Sequence, residues 1–417
     1  MRILFAPMGY FLAHLTRCLA IAEALKQRGH EIGFLCVEKD QALLAHNGYE
    51  AFPVYSPAPD DVVAFSAPYH YQKRYLGAVF NKISEKIFKI KKMIEEEQLI
   101  YQRFKPDLVI FSGKLTVPFT ASVNEILAVG ISNLSMLVDN QPACNVSSDV
   151  AGQMTIELQF QKELAPLLGH AVLQSDKCQL YLKLIAMIVP GLPVFENKAA
   201  LPVVGCPALH FVGPLYWSGW DAMPQPDISK YRHKIVILVT LGSTFPFPAL
   251  VDLVLAAFCG DNYRIIINMG GPFLYKVTRP VDNYEVLPAI CLRAFLAISH
   301  VVIHHGGHGT TMEVLRAGLP RVMIPFNGDQ IDIADQVEKF GCGISLRKYP
   351  ADVSQDELKN AVDKVLRNPA YAQGAKRFKD ELAHWPDSGM MAAQLIEAHY
   401  ARAQQALLKH SHSSQSA

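Results

Sequence analysis

Residues 301–320 read VVIHHGGHGTTMEVLRAGLP, and they are the most informative part of the sequence about the fold. The apolar run from His300 to His304 predicts a strand, and residues 310–317 have the apolar spacing of a helix that Gly318 and Pro320 end. A glycine turn joins the two. Strand, turn and helix in this order form the repeating unit of doubly wound sheets, so the stretch predicts an α/β fold with a parallel sheet.

The turn itself has the composition of an anion site. Its glycines let a ligand approach the backbone, and the amides that open the next helix attract negative charge. His305, Thr310 and Thr311 add side-chain donors for phosphate oxygens. A glycine turn whose histidines bond the backbone is the alternative, but three histidines and two hydroxyls at the carboxyl edge of a sheet favour a ligand site.

Two alternations of strands and helices predict two such units in the chain. The predicted strands are 2–7, 31–37, 107–111, 131–137, 235–240, 264–269, 300–304 and 321–324, and the predicted helices are 15–25, 116–127, 248–258, 292–298, 310–317, 332–340 and 390–408. Residues 1–213 and 234–388 form the two domains, with a proline-containing linker at 214–233. Residues 389–409 are expected to be a C-terminal helix that packs back toward the N-terminal domain, and 410–417 a disordered tail.

Composition excludes several functional classes. Half of the 417 residues are hydrophobic, and 39 Lys and Arg nearly balance 38 Asp and Glu, so no basic field predicts nucleic-acid binding. The eight cysteines are scattered and fit reduced thiols. The first apolar run is too short for a signal peptide, and no stretch reaches the roughly 20 apolar residues of a membrane span. We therefore expect a soluble, cytoplasmic protein.

Residues 305–313, together with Pro325-Phe326-Asn327-Gly328-Asp329-Gln330, resemble the donor signature of inverting GT-B glycosyltransferases. The group is the UDP-glycosyltransferase-like family of the bacterial macrolide, carotenoid and natural-product type. The resemblance extends to Thr240-Leu241-Gly242-Ser243, to Val212-Gly213-Pro214 and to the N-terminal strand–helix–strand unit. It implies a GT-B fold, in which two Rossmann-like domains face each other across a cleft, the N-terminal one for the acceptor and the C-terminal one for the donor.

The resemblance also implies a role for individual residues. Backbone near residues 287–290 would cover the nucleobase, Glu313 would accept hydrogen bonds from the ribose, and Asp329 and Gln330 would bind hydroxyls of the donor sugar. The implied contacts of the donor diphosphate are Ser243, His305, Gly307, Gly309, Thr310 and Thr311.

His14 is the candidate catalytic base. It follows the first strand where the first helix begins, and a histidine suits proton abstraction near neutral pH. The family places its base here in a Gly-His pattern, which Ala13-His14 matches loosely. The family often orients that base with an aspartate after the Pro106-Asp107 strand, where this chain has Ser112. Serine can only orient the ring, and Asp107 is a second possible partner.

Two further readings stay open. Residues 15–19 resemble a nucleotide-sugar hydrolase of the same fold, so water is a possible acceptor, and the missing aspartate admits a non-catalytic nucleotide-sugar-binding subunit. No Asp-x-Asp pair occurs, and the four-residue spacing of His300, His304 and His308 follows a strand into a turn rather than a helix face. We therefore predict no metal and no cofactor, with a UDP- or TDP-sugar as co-substrate.

The sequence gives less specific evidence about the acceptor site than about the donor site. The mixed basic and apolar segment Lys73–Lys92 lies in a predicted helical region and fits either a solvated helix face or a peripheral membrane contact at the inner face of the membrane. Candidate lining residues of an apolar acceptor pocket are Tyr69, Tyr71, Phe80, Met136, Met154 and Phe160. We expect a lipophilic or small-molecule acceptor, a transferred hexose, and a monomer or homodimer.

Overall fold

The computed structural model of the chain contains two parallel sheets. The structure describes residues 1–56, 83–114, 116–134, 164, 166–168, 184–196, 208–220, 227, 229–231, 233–240, 242, 248–260, 262–269, 283–287, 292–326 and 328–414.

The first sheet has seven strands in the order β3-β2-β1-β4-β5-β6-β7, and every neighbouring pair is parallel. The strands are β1 (Arg2–Pro7), β2 (Glu31–Cys36), β3 (Glu50–Pro53), β4 (Leu108–Ser112), β5 (Leu127–Ile131), β6 (Ala186–Val189) and β7 (Leu209–Phe211). The described helices of this half are α1 (Leu12–Gln27), α2 (Gln41–His46), α3 (Ile83–Phe104) and α4 (Val117–Val123).

Burial on both faces explains why these strands read as continuous apolar runs. In β1, Ile3 and Phe5 belong to one buried cluster, and Leu4 and Ala6 belong to the cluster on the other face of the sheet. Because successive side chains of a strand point to opposite faces, an apolar residue is required at every position when both faces of the sheet are covered.

The second sheet has six strands in the order β10-β9-β8-β11-β12-β13, again all parallel. They are β8 (Ile235–Thr240), β9 (Tyr263–Asn268), β10 (Tyr284–Leu287), β11 (Val301–His304), β12 (Arg321–Met323) and β13 (Gly343–Ser345). The described helices are α5 (Pro248–Ala257), α6 (Leu292–Leu296), α7 (His308–Ala317), α8 (Gly328–Lys339), α9 (Gln355–Arg367), α10 (Pro369–Ala383) and α11 (Ser388–Ser414).

Four predicted elements have boundaries that are wrong by four residues or more. The strand predicted at 131–137 is β5 at Leu127–Ile131, and the preceding helix ends at Val123 instead of 127. The helix predicted from 332 begins at Gly328, so Asp329 and Gln330 lie in its first turn. The disordered tail predicted from 410 is helical through Ser414, because α11 continues past the predicted end.

Helix α11 and one loop tie the halves together. Ala392, Ala393 and Ile396 of α11 are fully buried in the core formed by α1 and the first sheet. In the opposite direction, Leu192 and Phe195, which follow β6, are buried in a cluster of the second half. The loop after β6 therefore belongs to the N-terminal half by sequence and to the C-terminal half by packing.

No described helix combines the length and the apolar character that crossing a bilayer requires.

Candidate functional site

The predicted donor-binding turn, residues 305–307 and called the donor turn below, joins the end of β11 at His304 to the start of α7 at His308. Gly306 has a φ of +94°, a backbone conformation that glycine adopts at no steric cost, and Gly307 is the N-cap of α7. The neighbouring strands end at the same level, since His304 pairs with Thr240 of β8. The first amides of α7 therefore lie at the carboxyl edge of the sheet, where an anion is attracted.

His305 lies flat between two glycines of this edge. Its ring stacks on Phe326 with centroids 5.9 Å apart. A Cβ added at Gly307 would lie 2.5 Å from His305 Nε2, and one added at Gly242 would lie 2.6 Å from His305 Cε1. The ring is buried, and burial lowers its pKa to about 4, with a hydrogen bond to the backbone of Thr240 acting in the opposite direction. A neutral His305 has a single N–H, so a phosphate oxygen can accept it only in place of the Thr240 carbonyl.

The two threonines of the turn differ. Thr311 is fully buried, and its hydroxyl donates to the carbonyl oxygen of Gly307 at 3.0 Å. That hydroxyl proton is used inside the turn, so Thr311 stabilises the turn and retains only acceptor capacity. Thr310 is half-buried and precedes it in the first turn of α7. Of the two hydroxyls, Thr310 is the better donor for a ligand.

Glu313 and Asp329 lie on the helices that follow β11 and β12. Glu313 is half-buried on α7, and its Oε2 is 3.9 Å from Nε of Arg293. Asp329 is half-buried in the first turn of α8, where burial raises its pKa to about 6 while Arg17 and two backbone amides act to lower it. Ser243, the remaining predicted phosphate contact, lies outside the described residues.

Gln330 is buried, and its Oε1 accepts a hydrogen bond from the amide of Phe326 at 3.1 Å. This contact ties the loop after β12 to α8, next to the His305 ring that Phe326 supports. The two residues predicted to bind the donor sugar therefore differ. The side-chain carbonyl of Gln330 already accepts a hydrogen bond from the loop, whereas Asp329 supplies the carboxylate.

His14 lies at the matching edge of the first sheet. It is in the first turn of α1, directly after β1, and β1 pairs with β4 so that Pro7 is opposite Ser112. Nδ1 of His14 lies 2.8 Å from Oγ of Ser112, which in turn donates to the carbonyl of Ile131 at 3.3 Å. Since the serine has one proton and directs it to Ile131, His14 Nδ1 carries the proton and donates it to Ser112. This tautomer leaves Nε2 with its lone pair.

A glycine makes this arrangement possible. A Cβ at Gly113, which has a φ of +73°, would lie 2.5 Å from the His14 ring, so the imidazole packs on bare backbone. Burial, and after it the positive charge of Arg17, lowers the pKa of His14 to about 3. Asp107, the alternative partner, lies at the other end of β4 and accepts a hydrogen bond from the amide of Arg2. Ser112 is therefore the residue that orients His14.

The two edges meet across the cleft. A Cβ at Gly309 would lie 3.8 Å from Cβ of Ala13, the residue before His14. Arg17 Nη2 lies 3.2 Å from Nδ1 of His308, and His308 Nε2 lies 3.0 Å from Oε1 of Glu196. Sequence reasoning assigned no role to Arg17 or Glu196. Arg17 could have been found from the sequence, since it follows His14 by one helical turn. No pattern near Glu196 in the sequence indicates a place in the site.

The three evenly spaced histidines have separate partners. His300 accepts a hydrogen bond from the amide of Val236 at the amino end of the sheet, and His304 accepts one from the amide of Gly306. His308 faces the cleft. Within the described ranges, no group of three or more metal-ligating side chains is placed to hold an ion.

The acceptor side is described in part. All six candidate lining residues and residues 73–82 of the Lys73–Lys92 segment lie outside the described residues. On α3, Phe88 is 68% exposed, and Lys92 lies over the ring of Tyr55 and near Glu96. The membrane contact and the oligomeric state stay predictions.

Comparison with known proteins indicates the class of enzyme. Residues 253–398 match the family described as "Erythromycin biosynthesis protein CIII-like, C-terminal domain". A PGL/p-HBAD biosynthesis glycosyltransferase of Mycobacterium tuberculosis is 24% identical over 428 residues, which cover 95% of this chain and 92% of that protein. The chain is a GT-B glycosyltransferase. Further relatives are an O-mycaminosyltylonolide 6-deoxyallosyltransferase of Streptomyces fradiae, 29% identical over 42% of this chain and 41% of that protein, and a PGL/p-HBAD biosynthesis rhamnosyltransferase of Mycobacterium bovis, 24% identical over 91% of this chain and 84% of that protein.

Solved structures of GT-B glycosyltransferases show the same fold. The kitacinnamycin glycotransferase superposes with a TM-score of 0.72 at 20% identity, covering 95% of this chain and 98% of that one. VinC, solved in complex with dTDP, superposes with a TM-score of 0.68 at 17% identity, covering 96% of this chain and all of that one. The GT-B fold expected from the sequence is confirmed.

Proposed function

We propose that this glycosyltransferase transfers a hexose, with inversion and without a metal, from a UDP- or TDP-sugar to a hydroxyl of a lipophilic or small-molecule acceptor. The observation that carries the proposal is the hydrogen bond from His14 Nδ1 to Ser112 Oγ. It leaves Nε2 as a base at the edge that faces the donor turn, with Ala13 and Gly309 in contact range.

The proposed reaction is a single displacement. Nε2 of His14 takes the proton of the acceptor hydroxyl as that oxygen attacks the anomeric carbon. The bond between the anomeric carbon and the diphosphate oxygen breaks on the opposite face, and the nucleoside diphosphate leaves with the electron pair. One displacement inverts the anomeric centre. General-base assistance of this kind contributes roughly 10²–10⁴-fold to the rate.

Groups of the donor turn stabilise the departing diphosphate. The amides that open α7, the hydroxyl of Thr310 and the ring N–H of His305 all lie at the edge where this charge develops. The low pKa of His305 keeps the ring neutral, so it acts as a hydrogen-bond donor and not as a counter-ion. Preorganised donors of this kind support a metal-independent departure.

The donor and acceptor classes rest on the relatives as well as on the residues. The VinC structure was solved with dTDP, which supports a TDP-sugar beside a UDP-sugar. Asp329 can accept two hydrogen bonds from neighbouring sugar hydroxyls when it is ionised. The spinosyn rhamnosyltransferase SpnG was solved in complex with the spinosyn aglycone, which supports a small-molecule acceptor.

Donor identity can be tested by a thermal-shift screen of nucleoside diphosphates and their sugars. A ligand that binds only the folded protein raises the melting temperature according to RT ln(1 + [L]/Kd). We expect UDP, TDP or their hexose conjugates to do so, with the same shift in EDTA. A protein that none of them stabilises at millimolar concentration is not a nucleotide-sugar enzyme of this kind.

Reaction type is tested by product analysis of the stabilising donor with and without a panel of phenolic and macrolide alcohols. We expect a glycoside whose anomeric configuration, measured by NMR, is opposite to that of the donor. Rapid release of free sugar from the donor alone would instead identify a hydrolase. Loss of activity in EDTA that magnesium restores would contradict the metal-independent mechanism.

A further inference from the structure

A buried polar cluster joins helix α3 to the loop that follows β4. At its centre is Glu97 of α3, which is fully buried, although a glutamate is almost never buried unless it is paired. Its Oε1 lies 3.3 Å from Nζ of Lys114, a lysine that is only 2% exposed, and accepts a hydrogen bond from the hydroxyl of Thr116. Its Oε2 accepts a hydrogen bond from the hydroxyl of Thr120 at 2.8 Å. One carboxylate therefore holds a lysine and two threonines of the segment after β4.

The hydrogen bonds of this cluster all run toward the carboxylate. The hydroxyl of Tyr101 lies 3.1 Å from Oγ1 of Thr120, whose single proton is donated to Glu97, so Tyr101 is the donor of this bond. Burial, and after it the charge of Glu97, raises the pKa of Tyr101, so the phenol keeps its proton. Every polar group of the cluster has a partner, and their arrangement is therefore closely defined.

Stability alone does not explain these contacts. Thr116 is the N-cap residue of α4, where a threonine normally accepts a hydrogen bond from a helix amide, but its side chain makes no such bond. Its hydroxyl is used by Glu97 instead. A buried ion pair is also weak evidence for stability, since well-packed apolar residues in its place are often neutral or stabilising. The geometry that the cluster imposes on the loop is the better explanation.

The loop held by Glu97 is the one against which the ring of His14 packs. A Cβ added at Gly113, the residue before Lys114, would lie 2.5 Å from that ring. Gly113 itself follows Ser112, the hydrogen-bond partner of the ring. Pairing within the sheet fixes this loop at Ser112, where β4 ends, and Glu97 fixes it at Lys114. The backbone that contacts the imidazole lies between these two points.

We propose that Glu97 is a positioning residue of the transfer reaction, which holds the loop after β4 so that Gly113 and Ser112 stay against the imidazole of His14. The contact that it preserves is the one of 2.8 Å between Ser112 Oγ and His14 Nδ1. The hydrogen bond made by one ring nitrogen determines which nitrogen carries the proton, and only the Nδ1–H tautomer leaves a lone pair on Nε2. Glu97 acts through the loop and not on the substrate. The inference rests on the proposed role of His14 as the base.

The tautomer of His14 can be measured without any substrate. In protein made with ¹⁵N-labelled histidine, the NMR shifts of the two ring nitrogens show which one carries the proton, and the signals of His14 are those that His14→Ala lacks. The variants are Glu97→Gln, which leaves Lys114 without its counter-charge, and Thr116→Val, which removes only a hydroxyl. Thr116→Ser keeps that hydroxyl and is the matched control. Glu95→Gln, at an exposed position of α3, is the second control.

We expect the unmodified protein to carry the proton on Nδ1, and Glu97→Gln and Thr116→Val to show a mixture of the two tautomers, because Ser112 no longer fixes the ring. With the donor and acceptor identified by product analysis, kcat should fall by about tenfold in Glu97→Gln and about threefold in Thr116→Val, since even a misplacement of about 1 Å can slow catalysis by about 10²-fold. Calorimetry with TDP, or with UDP if the thermal-shift screen selects it, should show a change in Kd of less than about twofold, because distant sites act independently. Thr116→Ser and Glu95→Gln should match the unmodified protein in all three measurements.

An Nδ1–H tautomer that persists in both Glu97→Gln and Thr116→Val would overturn the proposal, because the cluster would then support only the packing of α4. A proton on Nε2 in the unmodified protein would overturn it as well. If Glu97→Gln does not fold, the comparison of Thr116→Val with Thr116→Ser decides, since both variants keep the ion pair of Glu97 and Lys114. If the tautomers respond as expected but His14→Ala has full turnover, the proposed function is refuted, whereas the orientation of the ring by Glu97 is not.

Discussion

The donor edge and the base edge of the cleft are built in opposite ways. On the donor edge, residues 304–313 are contiguous, and one turn supplies the ring of His305, the helix amides and the hydroxyl of Thr310. On the base edge, His14 depends on Ser112, which is 98 positions away, and through it on the carbonyl of Ile131. The features of one turn follow from the local sequence, whereas Ser112 was connected to His14 only through the family resemblance.

The largest effect should come from the base edge. His14→Ala removes the proton acceptor, so we expect kcat to fall by roughly 10²–10⁴-fold with nucleoside diphosphate binding unchanged. Steady-state kinetics and calorimetry on the same protein measure the two quantities. His46→Ala, an exposed histidine on α2, is the control. A His14→Ala protein with normal turnover would remove the base from the mechanism.

Substitutions on the donor edge should weaken nucleotide binding, whereas His14→Ala should lower kcat. Gly307→Ala places a methyl group 2.5 Å from His305 Nε2 and must displace the ring from the turn. We expect an affinity loss for nucleoside diphosphate of about tenfold or more, since a hydrogen bond to a charged group is lost. Thermal-shift titration measures it.

Gly260→Ala is the matched control for this substitution, because no atom lies within 4 Å of the added Cβ. Full affinity of the Gly307→Ala protein would show that the diphosphate does not depend on His305.

The sequence predicted the donor edge in detail because each of its features is local. A strand that ends at His304, glycines in the turn and a helix start all appear within about ten residues, and the structure has them in that order. The use of individual groups was not predictable. Thr311 donates to Gly307, and Gln330 accepts from Phe326, because the turn and the loop satisfy their own backbone first.

The errors in the fold have the same origin. Strand β5 was predicted four residues too late, because the apolar run continues from Ile126 into Leu134 and does not show where the helix ends. Burial of Leu192 and Phe195 in the other half depends on Phe340 and Phe378, which are more than a hundred residues away. Long-range packing of this kind leaves no periodic signal.

The pH dependence of turnover separates the two edges further. A base works in its unprotonated form, and the pKa of His14 is lowered to about 3, so kcat at saturating donor should stay level well below pH 6. Ser112→Asp places a negative charge beside Nδ1, which favours the imidazolium and raises this pKa. The acidic limb of kcat should therefore move to higher pH by about one to three units, costing at least about fivefold near pH 5 at the upper end of that range.

Ser112→Ala is the comparison, because it removes the partner without adding charge and should lower kcat without moving the limb. If Ser112→Asp leaves the kcat profile where it was, the hydrogen bond between His14 and position 112 does not control the base.

The smallest effect should come from Glu313, at the far end of the donor edge. It is half-buried on α7, with Arg293 3.9 Å away, so its charge is already partly balanced. Glu313→Gln keeps one acceptor oxygen for a ribose hydroxyl, and we expect affinity for the nucleoside diphosphate to fall by only about threefold. Glu313→Ala should cost more, and the difference between the two variants isolates the hydrogen bond from the charge. If Glu313→Gln loses affinity as severely as Gly307→Ala, the donor edge recognises the ribose through the charge of Glu313. Donor binding would then depend on the second turn of α7 as much as on the glycine turn before it.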